Sequence, residues 1–140
     1  MYLLDTNVLS ELMRPAPAPQ VLAWVDALPP HELYISAITR AEIELGIGLL
    51  PSGKRRSGLS AQATAMFEED FHARCLPFSE DCAPPYAAIV SARTRQGTPL
   101  SVEDAQIAAT ALAYSKVLVT RNVADFHGIA GLRIVNPWDA

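Results

Sequence analysis

Apolar positions change period several times along the chain, dividing it into strand-like and helix-like stretches. Tyr2 to Leu4 is a short apolar run ending on Asp5-Thr6-Asn7, residues that start helices, and it predicts a strand followed by a helix over Val8 to Met13. Beyond the Pro15-Ala16-Pro17-Ala18-Pro19 connector a second helix is predicted over Gln20 to Ala27. Leu33-Tyr34-Ile35 predicts the next strand, after which Ser36 and Thr39 are candidate starts for a helix running to about Leu50. The stretch from Pro51 to Gly58 is polar, basic and bounded by glycine, and predicts a loop followed by a helical pattern from about Leu59 to Phe71. Leu76 to Phe78 predicts a third strand. A helix then begins near Pro84-Pro85, where a first turn tolerates proline, and stops before Gly97. Ser101 opens a helix through about Tyr114, Val117-Leu118-Val119 predicts a strand ending at Thr120, and Leu132 to Val135 predicts the last.

Strands alternating with helices require crossover connections, so the class is α/β with a mostly parallel sheet covered by helices on both faces. In such sheets ligands gather beyond the carboxyl ends of the strands, where the strand order reverses. Acids are found at these places. Asp5 ends the first strand, Asp125 follows the fourth by a few residues, and Asp104 lies in the first turn of the helix leading into that strand. Glu42 falls inside the apolar stripe Ile38, Ala41, Leu45 and Leu49 of its helix. Each acid also has a purely structural reading. Asp5 fits a helix cap, Asp104 stands at capping-box spacing from Ser101, Asp125 fits a turn, and Glu42 can reach water or pair with Arg40.

Length and composition narrow the picture. With 140 residues and 50% hydrophobic content, the chain fits one domain over 1–140 that buries about two thirds of its unfolded surface. Charged residues at 19%, with apolar ones throughout, exclude a disordered chain. No apolar run approaches the roughly 20 residues of a membrane span, and Met1 to Asp5 carries no basic stretch, so a cytoplasmic protein without membrane contact is expected. Cys75 and Cys82 read as free thiols, and the scattered His31, His72 and His127 give zinc little support. Eleven Lys and Arg against fifteen Asp and Glu give a net charge of -4, which argues against binding nucleic acid by bulk positive charge. A local patch would be needed. Lys54, Arg55 and Arg56 form a basic loop, Arg40 and Arg121 adjoin the acids, and Arg93 with Arg95 closes a helix. These are candidate phosphate contacts, with loop solvation and helix-end complementation as the alternative.

Convergence of the four acids would demand a counter-charge. Two carboxylates about 5 Å apart repel by about 3 kcal/mol at an effective dielectric near 20, a large part of the about 5 to 15 kcal/mol that holds a domain folded. A divalent cation resolves the conflict, and the all-oxygen donor set favours Mg²⁺ or Mn²⁺ over Zn²⁺. Such an ion meets the requirements of phosphodiester hydrolysis. Thr6 and Asn7 beside Asp5, Ser36 near the Glu42 helix, and Thr120 with Asn122 after the fourth strand are candidates to support the acids.

The segments Leu3-Leu4-Asp5-Thr6-Asn7-Val8, Ser36 to Ile43, Asp104 to Ala111, and Val119-Thr120-Arg121-Asn122 with Asp125-Phe126 resemble the four acidic motifs of PIN-domain nucleases. Length, the basic stretch and the ending Asn136-Pro137-Trp138 are most similar to the VapC-type toxins of bacterial toxin–antitoxin pairs, in particular the FitB-like subgroup. The resemblance covers essentially the whole chain. It implies a three-layer sandwich around a five-stranded parallel sheet, a homodimer, Mg²⁺- or Mn²⁺-dependent cleavage of RNA, and inhibition by a cognate antitoxin. By motif matching the four acids are Asp5, Glu42, Asp104 and Asp125, with Asn7 and Thr120 in supporting positions. The antitoxin is expected to dock as an amphipathic segment in an apolar groove and to reach the acids with a cation. Leu45, Ile47, Leu49 and Leu50 leave apolar surface on more than one side of their helix, for that groove, a dimer contact or the core.

Rival readings remain. A haloacid-dehalogenase-like phosphatase would need an acid at position 7, which is Asn7, and a receiver domain would need a lysine after a strand, whereas Lys116 precedes one. A non-catalytic module that uses the same acids to bind a metal or a basic peptide is the other alternative.

Overall fold

Five strands, β1 (Tyr2–Leu4), β2 (Leu33–Ser36), β3 (Cys75–Leu76), β4 (Val117–Val119) and β5 (Ile134–Val135), form one sheet in the order β3-β2-β1-β4-β5. They are seen in a computed structural model that describes residues 1–139. Every pairing is parallel, with Leu3 opposite Tyr34 on one side and Leu118 on the other. From the central β1 the chain builds outward through β2 and β3, then crosses over to add β4 and β5 on the opposite side. The reversal therefore lies between β1 and β4. There the ladder runs one residue beyond the strands, as the Asp5 N–H donates to the Val119 carbonyl at 2.9 Å and the Thr120 N–H to the Val135 carbonyl at 2.9 Å.

The period of two along the strands sends side chains to two separate cores. Leu4, Ile35 and Val119 face one layer with Val8, Val21, Ile43 and Phe67, carried on helices α1 (Thr6–Leu12), α2 (Pro19–Asp26), α3 (Ala37–Gly48) and α4 (Lys54–Ala65) and on the turn that follows it. Leu3 and Leu118 face the other, against α5 (Ala83–Gln96), α6 (Val102–Ala113) and α7 (Val123–Phe126). In α6, Ala105, Ala108, Ala109 and Ala111 are all fully buried, so small side chains let this helix lie close against its neighbours. The three-layer α/β architecture is the one expected.

Local chemistry explains the ends of the elements that carry acids. The Ser36 hydroxyl accepts from the Thr39 N–H at 3.0 Å and the Ser101 hydroxyl from the Asp104 N–H at 3.1 Å, capping α3 and α6. Gly97 ends α5 in the left-handed conformation, φ 72°, which a side chain would strain. Among the described residues no helix is long and apolar enough to cross a membrane.

Five local expectations are corrected. The basic segment is not a loop throughout: α4 begins at Lys54, so Lys54, Arg55 and Arg56 form its first turn. Three cations there oppose the helix dipole, which is why the charge pattern pointed elsewhere. After Ala65 the helix widens into a π turn over Met66–Asp70, closed by the Phe71 N–H on the Met66 carbonyl at 3.1 Å, and Met66, Phe67 and Phe71 are all buried. A 3.6-residue period does not reveal that widening. β3 starts earlier than expected and stops at Leu76, because Pro77 has no N–H to give the ladder. The last strand is confined to Ile134–Val135, and the four-residue α7, held by the fully buried Phe126, stands where only a turn was expected.

Candidate active site

Asp5 is fixed at the carboxyl end of β1, only 3% exposed. One carboxylate oxygen accepts the Thr6 N–H at 2.8 Å, and the other accepts the Thr120 hydroxyl at 2.7 Å and the Asn7 amide at 3.0 Å. The structural expectation for this residue holds, since it caps α1, and it does so from the sheet's carboxyl edge. Burial pushes its carboxyl above the ordinary value, against the three donors, and the Glu42 charge pushes the same way.

The supports interlock. The Asn7 amide also donates to the Thr120 hydroxyl at 3.3 Å, while its carbonyl oxygen accepts the Arg121 N–H at 3.2 Å. Thr120 in turn accepts the Asn122 N–H at 3.0 Å. The end of β4 and the start of α1 are thereby tied through one amide and one hydroxyl. Because Asn7 acts here as a donor to Asp5, it does not replace the general acid a phosphatase would need.

Glu42 approaches from α3. Its Oε1 accepts the Thr6 hydroxyl at 2.6 Å, and the Thr39 hydroxyl lies 3.1 Å from that of Thr6. Its expected alternative partner, Arg40, is elsewhere, 3.7 Å from Glu44 and 4.8 Å above the Phe67 ring. Asp104 sits in the first turn of α6. Burial raises its carboxyl first, followed by the charges of Asp5, Asp125 and Glu42, with the Ser101 hydroxyl opposing. Asp104 thus meets the charges of the other three acids at the carboxyl edge, and among the described residues none of the four is in an ion pair.

This donor set fits a hard divalent cation. The four acids supply only oxygen, three of them raise the carboxyl of Asp104 by their charge, and among the described residues no lysine or arginine pairs with them. Among the described residues no three carboxylates, imidazoles or thiols are close enough to ligate one ion together.

Other expected residues are placed as follows. Ser36 is engaged as the α3 cap and Asn122 contributes its backbone N–H. Arg55 lines a mostly apolar groove of about 790 Å³ between α1, α3 and α4, together with Thr6, Glu42, Ile47, Leu50 and Leu59. Arg56 donates to the Ser52 hydroxyl at 3.3 Å, and the Arg121 guanidinium stacks 4.9 Å from the centre of the Trp138 ring. Lys116 lies at the amino end of β4 with its ammonium 4.3 Å over Tyr34, on the edge opposite the acids, so the receiver reading fails.

Three residues have partners that the sequence did not reveal. Thr39 extends the hydroxyl chain to Glu42. Arg93 leaves the last turn of α5 to donate to the carbonyls of Thr98 at 3.0 Å, His127 at 3.1 Å and Asp125. Glu11, buried on α1, accepts the Ala18 N–H at 2.9 Å and Arg14 at 3.2 Å, which fastens the proline connector and holds its carboxyl below the ordinary value. The Arg14 spacing of three on a helix was the one available signal; Arg93 and Ala18 reach partners no local pattern announces.

Residues 2–132 match the family model described as PIN domain. The chain is 41% identical over 138 residues to a protein named Toxin FitB from Neisseria gonorrhoeae, covering 99% of both. It is 40% identical over 139 residues to VapC ribonuclease Y4jK from Sinorhizobium fredii, again covering 99% of both. Among solved structures, that of FitAcB from Neisseria gonorrhoeae aligns over the whole of both chains with a TM-score of 0.91 and 41% identity. The structure of VapBC-1 from nontypeable Haemophilus influenzae aligns over 99% of this chain and 98% of that chain, with a TM-score of 0.80 and 27% identity.

Proposed function

Because this chain belongs to the PIN-domain family, we propose that it is the toxin of a bacterial toxin–antitoxin pair, acting in the cytoplasm as a metal-dependent endoribonuclease. The observation that carries the chemistry is that Asp104 faces the charges of the other three acids while, among the described residues, none of the four is ion-paired. Asp5, Glu42, Asp104 and Asp125 would hold Mg²⁺ or Mn²⁺, at most two of them directly and the others through its waters, and the ion would supply charge neutralisation at a phosphoryl oxygen and a more acidic water. Asp5 is locked by three donors and cannot swing. Thr6 fixes one oxygen of Glu42, leaving the other to take a proton from the attacking water. Asn7 and Thr120 keep Asp5 turned to the site, and Arg93 holds the backbone of Asp125 against α5.

RNA reaches the acids past a basic flank. Arg55 borders the groove beside Glu42, and Lys54 and Arg56 share its helical turn. The mutual repulsion of cations in a helix's first turn is relieved by phosphate, which gives these residues a reason to be there. The same groove, apolar along Ile47, Leu50 and Leu59 and ending at Glu42, suits the amphipathic segment of an antitoxin that brings its own cation to the acids. Relatives support this pairing in their names, as toxin FitB and the VapBC complexes. On another side of α3, Leu45 and Leu49 are 62% and 77% exposed and offer apolar surface for a second copy of the chain in a homodimer.

The test is cleavage of structured RNAs by the chain freed of any partner, with and without Mg²⁺ or Mn²⁺, beside Asp5→Asn and Glu42→Gln. Metal-dependent cuts lost in both variants are expected. Cleavage by the variants equal to the parent would assign the activity elsewhere, and no cleavage of any RNA would leave the chain a binding module.

A further inference from the structure

A second cleft, of about 470 Å³, opens on the other flank of the acids, between the end of α5, the loop 97–100, the start of α6 and α7. Asp104 and Asp125 form part of its wall. The volume lies within the roughly 300 to 1,000 Å³ of small-molecule sites, and its lining differs in kind from the apolar groove beside Glu42.

Its chemistry selects an uncharged ligand. Gln96, Thr98 and His127, all exposed, line the cleft and bring an amide, a hydroxyl and an imidazole to it. Pro99 and Leu100 add apolar surface beside them. The cleft's one arginine, Arg93, directs its guanidinium to three backbone carbonyls, so it is already engaged and leaves the cleft without a free cation for a phosphate. What fits such a lining is a flat group rich in neutral donors and acceptors. Arg93 also ties the Thr98 rim to the Asp125 and His127 rim, so the width of the cleft is set before any ligand arrives.

We propose that this cleft binds the nucleoside adjoining the cleaved phosphodiester and sets the base preference of the cut, through Gln96, Thr98 and His127. The inference rests on the nuclease reading and adds a site to it. The strand then crosses the acids between two unlike flanks, with phosphate contacts beside α4 and base contacts beside α5 to α7.

Two measurements test it. The metal-free chain is titrated with adenosine, cytidine, uridine and inosine at millimolar concentration while the NMR signals of the Gln96 amide and the His127 imidazole are followed. In parallel, Gln96→Ala, Thr98→Val and His127→Ala are compared with the parent for KM, kcat and cut-site base preference on oligoribonucleotides, with thermal unfolding confirming the fold. Expected are base-selective shifts at both residues, and in the variants a KM raised about three- to tenfold for each hydrogen bond lost, with kcat within about twofold and an altered base preference. Absence of shifts, or variants with the parent's KM and cut pattern, overturns the cleft while leaving the nuclease intact. A parent that cuts no RNA overturns the nuclease reading, and the nucleoside titration then decides the cleft by itself.

Discussion

The Thr6 hydroxyl donates to Glu42 at 2.6 Å across 36 positions of sequence, while the N–H of the same residue holds Asp5 at 2.8 Å. One residue therefore sets the relation between the acid that ends β1 and the acid on α3. Thr6→Val keeps the N–H contact and removes the hydroxyl. It is expected to lower RNA cleavage at least about tenfold and stability by about 1 kcal/mol, with Thr6→Ser close to the parent. Single-turnover cleavage and thermal unfolding measure the two effects, and an unchanged rate in Thr6→Val would remove Thr6 from the site.

Asp104 is half-buried and faces three like charges. Neutralising it relieves repulsion in the metal-free chain and removes a ligand when metal is present. Asp104→Asn should therefore match or exceed the parent's melting temperature in EDTA, and lose the increment that Mg²⁺ gives the parent. A metal-free variant markedly less stable than the parent would show that Asp104 serves structure first.

The pH dependence follows from the same two groups. Asp5 and Asp104 both have carboxyls raised in the fold, chiefly by burial, so the fold binds their protons more tightly than the unfolded chain does. Their ionised forms oppose folding above the raised pKa values, and that penalty disappears as pH falls toward the ordinary carboxylate range. Glu11 has the opposite sign, because its depressed carboxyl stabilises the fold above its unfolded value and that gain is lost on acidification. Protons also compete with the metal at Asp5 and Asp104. The Mg²⁺-induced rise in melting temperature should shrink as pH falls from neutral toward the ordinary carboxylate range, and the slope should be smaller in Asp104→Asn, which keeps only Asp5 of the two raised groups.

Arg93 clasps three carbonyls on two segments, one of them the carbonyl of Asp125. Arg93→Ala is expected to cost about 1 to 2 kcal/mol in denaturant unfolding and to slow cleavage by loosening Asp125. Arg93→Lys, with one ammonium for three acceptors, should recover part of both. Arg95→Ala, in the same helical turn but with no such contact, should leave stability unchanged.

The acids were legible in the sequence because their signals are local. Strand runs end on Asp5 and near Asp125, Ser101 announces Asp104 three residues ahead, and an apolar stripe interrupted by Glu42 marks an acid turned inward. Asn7 and Thr120 were legible as neighbours of those acids, and the structure joins them directly to Asp5. What escaped depends on distant geometry. Arg93 finds carbonyls 32 and 34 residues away, and Arg40 chooses Glu44 and Phe67 over Glu42 because its partners are set by packing. The start of α4 was hidden by three cations that contradict helix-end electrostatics.

The direct test of the convergent acids is Mn²⁺ binding to the metal-free chain at neutral pH, followed by electron paramagnetic resonance of the free ion. The account predicts saturable loss of the free-ion signal with the parent, and weakened or absent binding with Asp5→Asn and with Asp104→Asn. A parent that leaves Mn²⁺ free in solution, or variants that bind it as tightly as the parent, would contradict it.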